Sequence, residues 1–125
     1  MTLIAEIKFQ EQHQQLTVIP RERSKNILAY LHKHYAEKVT INDSATAVNI
    51  SPKECIRSFK KNIHQTPIEY LLNYRVEQAK KLLRHSELSI TDIVLRAGFS
   101  TSAYFSKIFK ERVGMTLREY RQRQG

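Results

Sequence analysis

Cysteine is nearly missing: Cys55 is the one thiol in 125 residues. A lone thiol closes no internal disulfide, and with no C-x-x-C pair the chain offers no thiolate set for zinc, so a reducing cytosol is the expected setting. Glycine and proline are scarce as well, at three each against 41% apolar residues. That balance excludes a disordered chain and points to a globular, helical one. Long hydrophobic runs are absent: none approaches the roughly 18 residues of a membrane span, and residues 1–8 lack the apolar core of a secretory signal. A soluble, cytoplasmic protein with no membrane partner is expected. Negative charge is the remaining shortage, with 12 acidic residues against 21 Lys and Arg, a formal charge of +9. Such an excess favours a polyanionic partner, and DNA, RNA and anionic surfaces all qualify on charge alone. The length suits one domain, or two small subdomains on a rigid connection.

What the chain does carry is a recurring helix-start signal, a small polar residue followed three positions later by an acid. Thr40 with Asp43, Ser51 with Glu54, Thr66 with Glu69, Ser89 with Asp92 and Thr116 with Glu119 all show it. At that spacing cap and third residue satisfy each other's amides. Pro52 and Pro67 stand at the first helical position, where the ring presets the backbone angle and the missing amide costs nothing. A further helix is expected over about 22–36, where Ile27, Leu28, Leu31 and Tyr35 recur at three- and four-residue spacing. No alternating strand pattern competes, so the fold class is all-α. Residues 1–20 differ: Leu3, Ile4 and Ile7 suggest a short helix, and a glutamine-rich stretch leads to Thr17, Val18, Ile19 and Pro20. This stretch reads as a linker or the remnant of an upstream domain.

The chain also repeats itself. Residues 41–59, INDSATAVNISPKECIRSF, resemble residues 90–109, ITDIVLRAGFSTSAYFSKIF, with one extra residue in the second turn. Before the turn Ile41, Asp43 and Val48 align with Ile90, Asp92 and Ala97. Beyond it Ser51, Cys55, Arg57, Phe59 and Lys60 align with Thr101, Phe105, Lys107, Phe109 and Lys110. Each copy reads as a short helix, a tight turn and a longer helix, which is a helix-turn-helix. The corner needs a positive backbone angle, supplied by Gly98 in the second copy and by Asn49, a residue that tolerates it well, in the first. Gly114 is a natural terminator for the second long helix, where the first copy has His64.

Residues of each longer helix sort onto two faces. Cys55, Phe59 and Ile63, like Phe105, Ile108, Phe109 and Val113, form an inward apolar stripe. The opposite side carries Lys53, Ile56, Arg57 and Lys60 in one copy, and Ser102, Ala103, Ser106, Lys107 and Lys110 in the other. Small or cationic side chains near the start of such a helix suit the major groove, Arg or Lys donating to guanine and Ser to several bases. Matched positions in both copies favour a reading face over a merely solvated cationic one. Between the copies, residues 66–84 form a linker helix with Ile68, Leu71, Leu72, Val76, Ala79, Leu82 and Leu83 as its apolar ridge. Its expected length of about 28 Å is close to the roughly 34 Å between successive major grooves on one DNA face.

On these residues the chain resembles the DNA-binding domain of AraC/XylS-type transcription regulators. The resemblance covers about residues 21–121. Its most specific part is A-G-F-x-x-x-x-Y-F-S-K-x-F-K over 97–110, followed by Gly114 and by Glu119, Tyr120 and Arg121. The first copy matches through S-P-K-x-C-I-R-S-F-K-K, and T-P-x-E-Y opens the linker helix. The resemblance implies about seven helices, homeodomain-like, in two helix-turn-helix subdomains at about 40–64 and 89–113 joined by the linker helix, within a domain over 21–125. It implies double-stranded DNA as partner, with Lys53, Ile56 and Arg57, then Ser102, Ala103, Ser106 and Lys107, where the family reads bases. An activator role with RNA polymerase as a second partner is implied as well. The chain is expected to be a monomer as it stands, and a dimer through a sensing or dimerising domain of the kind most members carry. His64 and Cys55 depart from the family's usual glycine and leucine-like residue.

Other readings fit the residues less well. Cys55 sits on the apolar stripe, which favours a buried thiol over a redox sensor or nucleophile. His32 and His34 are two apart and share no helix face, while His64 and His85 have no neighbouring ligand pattern, so neither metal nor cofactor is expected. Tyr104, Phe105 and Phe109 have the helical spacing of core packing rather than of a stacking platform for single strands. No nucleophile with a base, no phosphate-binding glycine loop and no paired acids are visible, so an enzyme is not expected. An RNA module would show sheet-borne aromatics or a G-x-x-G loop. The alternative from a different class is an interaction protein that pairs with a related regulator and inhibits it.

Overall fold

Residues 18–124 are described by the computed structural model, and among them every regular element is an α-helix. Helix α1 spans Val18–His34, α2 Ile41–Ala47, α3 Pro52–Ile63, α4 Pro67–His85, α5 Ile90–Arg96, α6 Ser102–Val113 and α7 Leu117–Gln124. The short helix expected around Leu3 to Ile7 lies outside the described residues. Helix α1 starts earlier than its apolar spacing suggests. Pro20 falls inside its first turn, where amides have no intrahelical acceptor to lose, so proline does not delay the start.

The helix starts are built as the cap spacing predicts. Ser51, Ser89 and Thr116 accept, through their side-chain oxygens, the amides of Glu54, Asp92 and Glu119 at 3.1 Å each. At Thr116 the box closes in both directions, because its own amide donates to Glu119 Oε1 at 2.8 Å. Thr101 caps α6 in the same way, accepting from the Tyr104 amide at 3.1 Å. Sequence spacing overlooked this cap, since the third residue there is an aromatic instead of an acid.

The corners follow the repeat too: Asn49 has φ 62° and Gly98 φ 90°, and at the ends of α3 and α6 His64 has φ 68° and Gly114 φ 86°. A histidine held left-handed is strained, so His64→Gly is expected to stabilise the chain by about 0.5–1 kcal/mol, strain relief outweighing the added unfolded-state entropy. Urea melts check this; a lower midpoint for the variant would contradict it.

The helices form two compact units. Of the described residues, 18–30 and 41–67 make the first, and 31–40 and 68–124 the second. In the first, Ile27, Ala45, Cys55 and Phe59 are buried together with Ser24, Ser44 and Ser58. The polar joint is satisfied: Ser24 Oγ donates to the Ser58 carbonyl at 3.0 Å, Ser58 Oγ to the Glu54 carbonyl at 2.7 Å, and Asn62 Nδ2 to Ser24 Oγ at 2.9 Å. Partners for each hydroxyl offset the cost of burying it. Desolvation pushes the Cys55 thiol up from its ordinary pKa, which disfavours the thiolate form.

The second unit has an apolar core instead. Val76, Ala79 and Leu83 of α4 meet Ile93 and Val94 of α5, Phe105, Ile108 and Phe109 of α6, and Leu117 and Tyr120 of α7. Rings run in series through it, Phe99 to Phe105 at 4.7 Å, Phe105 to Phe109 at 5.7 Å and Phe109 to Tyr120 at 5.6 Å between centroids. The tilted and edge-on pairings are those that aromatic quadrupoles favour. Arg84 Nη1 donates to the Tyr120 hydroxyl at 2.6 Å, giving the buried phenol its polar partner. Arg75 reaches the chain that leaves α1, donating from Nε to the Tyr35 carbonyl and from Nη2 to the Glu37 carbonyl, both at 2.8 Å. Those bonds give partners to carbonyls of the segment that follows α1.

Candidate nucleic-acid interface

Helices α3 and α6 are both 12 residues long and follow the caps Ser51 and Thr101. Counted from those caps, their residues correspond one to one. Cys55, Ser58 and Phe59 are buried on α3, and their counterparts Phe105, Ile108 and Phe109 are buried on α6. With those positions facing inward, the helical period turns the intervening ones outward. Lys53, Ile56, Arg57 and Lys60 are exposed on α3, as are Ser102, Ala103, Ser106, Lys107 and Lys110 on α6. Positions three, four and seven apart share one stripe of a helix, so each unit presents one continuous outward stripe.

Two features of this surface differ from the sequence expectation. Tyr104 does not belong to the core: it is 42% exposed, and its ring leans on Phe99, 6.0 Å between centroids. One residue before the inward Phe105, it is turned by about 100° from the buried stripe. It widens the exposed start of α6 beside Ser102 and Ala103.

The second feature is Glu54, read from the sequence only as the acid of a capping box. Its carboxylate turns to arginines: Arg57 donates from Nε to Oε2 at 3.0 Å and from Nη2 to Oε1 at 2.8 Å. Arg23 Nη1, from α1, donates to the same Oε1 at 3.1 Å. The hydrogen bond from Arg57, with the charges of Arg57 and Arg23, holds the Glu54 carboxyl below the usual carboxylate range. The signal available in the sequence was the three-residue spacing of Glu54 and Arg57. Among the described residues Lys107, the α6 counterpart of Arg57, has no carboxylate partner. No helix among them is long and apolar enough to cross a membrane.

A family model described as a helix-turn-helix domain matches residues 44–123. An uncharacterized HTH-type transcriptional regulator of Bacillus subtilis (strain 168), YdeC, is 35% identical over 114 residues, which cover 91% of this chain and 39% of that protein. The HTH-type transcriptional activator RhaS of Escherichia coli (strain K12 / DH10B) is 38% identical over 96 residues, 77% of this chain and 34% of that protein. Among solved structures, a transcriptional regulator from Chromobacterium violaceum, of the proteins containing an AraC-type DNA-binding domain, is similar with a TM-score of 0.77 and 27% identity. The match covers 84% of this chain and 94% of that one. The chain thus spans well under half the length of these two curated relatives.

Proposed function

As the chain belongs to the AraC/XylS-type family of helix-turn-helix domains, we propose that it reads double-stranded DNA through α3 and α6, one helix in each of two successive major grooves. The observation that carries this reading is the matched outward stripe on the two helices, cap for cap and residue for residue. Lys53, Ile56 and Arg57 contact bases in one half of the site, and Ser102, Ala103, Ser106 and Lys107 in the other. Lys60 and Lys110, further along their helices, neutralise phosphates and fix register without reading sequence. The helix-turn-helix stretches 40–64 and 89–113, joined by the helix between them, are the two reading units. The name of the relative RhaS, an HTH-type transcriptional activator, supports a role in transcription activation, with RNA polymerase as the further partner of this proposal. One copy of this chain occupies one asymmetric site.

Selection from a randomised duplex library tests this directly. The expected motif has two unlike halves centred about one helical turn, roughly 10 base pairs, apart. A single short motif, a palindrome, or no enrichment would overturn the reading.

A further inference from the structure

Resting on that reading of α3, we propose that Glu54 is a positioning residue for DNA specificity, holding the Arg57 guanidinium in the orientation that reads guanine, with Arg23 braced behind it. The donor geometry supports this. A guanidinium has five N–H donors in a rigid fork. Glu54 occupies one edge of it, the Nε–H and one N–H of Nη2. The end-on edge stays open, where one N–H from each terminal nitrogen points outward in parallel. That pair matches the O6 and N7 acceptors of guanine in the major groove.

The side chain of Arg57 is 70% exposed, whereas that of Glu54 is 27% exposed and that of Arg23 34% exposed. An arginine free to rotate would lose rotamer entropy on docking, and one already held loses less. The anchor is itself held: Ser51 Oγ accepts the Glu54 amide at the start of α3, and Arg23 approaches the carboxylate from α1. The Arg57 arm of the arrangement, 70% exposed, adds little stability, so stability alone does not explain why that guanidinium is held. A carboxylate on the DNA-facing helix also repels phosphates, which weakens binding to every sequence. Glu54 therefore acts in two opposed ways, lowering non-specific affinity while sharpening one base preference. Helix α6 has Tyr104 at the position of Glu54 and Lys107 at that of Arg57, so the device belongs to the first unit alone.

The experiment is library selection and binding to a random duplex for the wild type, Glu54→Gln, Arg57→Ala and the double variant, with melts confirming that each is folded. In the wild type a guanine preference should map to Arg57, and Arg57→Ala should abolish it. Glu54→Gln should weaken that preference about fivefold or more at the same position, leave the others in place, and tighten binding to the random duplex. In the Arg57→Ala background Glu54→Gln should change the motif no further. The proposal is overturned if Glu54→Gln keeps the guanine preference within about twofold, or alters a different base, as a carboxylate accepting directly from cytosine would. It is also overturned if the effect persists without Arg57. Should Arg57→Ala itself leave the motif unchanged, the base-reading assignment of α3 is what fails, and the proposal falls with it.

Discussion

Raising the salt concentration from about 50 to 200 mM should weaken binding to the selected duplex by about 10³-fold, if roughly six phosphates are neutralised. The chain carries a formal charge of +9, and Lys53, Lys60, Lys107 and Lys110 are all exposed along the two outward stripes. Each phosphate contact releases condensed counterions, so the logarithm of affinity falls in proportion to the logarithm of salt, here with a slope of about −5. Fluorescence anisotropy of a labelled duplex reads this slope. An affinity that barely changes over the range would mean that the cationic stripes are merely solvated.

Gly98→Ala should cost about 3 kcal/mol or more, because two penalties coincide. The first is conformational: Gly98 has φ 90°, where a side chain costs about 1–2 kcal/mol. The second is steric. A Cβ there would strike the Tyr35 carbonyl oxygen and meet Arg75 Nε at 2.8 Å and Ala36 Cα at 3.1 Å. Two of those atoms are backbone, and Arg75 is already committed to the carbonyls of Tyr35 and Glu37, so nothing nearby yields cheaply. Overpacking of this kind costs about 1–3 kcal/mol. Gly114→Ala provides the control, since Gly114 has φ 86° but, beyond its chain neighbours, no atom within 4 Å of its added Cβ. It should lose only about 1 kcal/mol. Urea unfolding followed by circular dichroism compares the two; equal losses would remove the steric half of the account.

Local chemistry made much of the fold legible in advance. Ser51, Ser89 and Thr116 cap their helices through bonds to residues three positions on, and Pro52 and Pro67 mark starts by backbone angle alone, so neither depends on tertiary partners. The internal repeat supplied the rest: it equated α3 with α6 and placed positive backbone angles at Asn49 and Gly98, where they occur. What stayed hidden depends on residues far apart in the chain. Ser58 occupies the position of Ile108 and looks like a surface residue until Ser24 and Asn62 close around it. Arg75 gives no local sign that it will hold carbonyls some forty residues upstream. Glu54 satisfied a cap motif so well that its carboxylate seemed accounted for, although its partner Arg23 lies 31 residues away. Tyr104 misled in another way: helical spacing groups it with Phe105 and Phe109, but five residues before Phe109 and one before Phe105 it is turned off their inward stripe.

If α3 and α6 each read one half of a single DNA site, substitutions on the two helices act on different bases, and this is the core of the two-reader arrangement. Selection from a randomised duplex library with Arg57→Ala and with Lys107→Ala tests it most directly. Arg57→Ala should flatten base preference in one half of the motif by about tenfold, and Lys107→Ala should do the same about 10 base pairs away, each leaving the other half intact. If both substitutions altered the same base positions, or neither changed the motif, two independent reading helices would be ruled out.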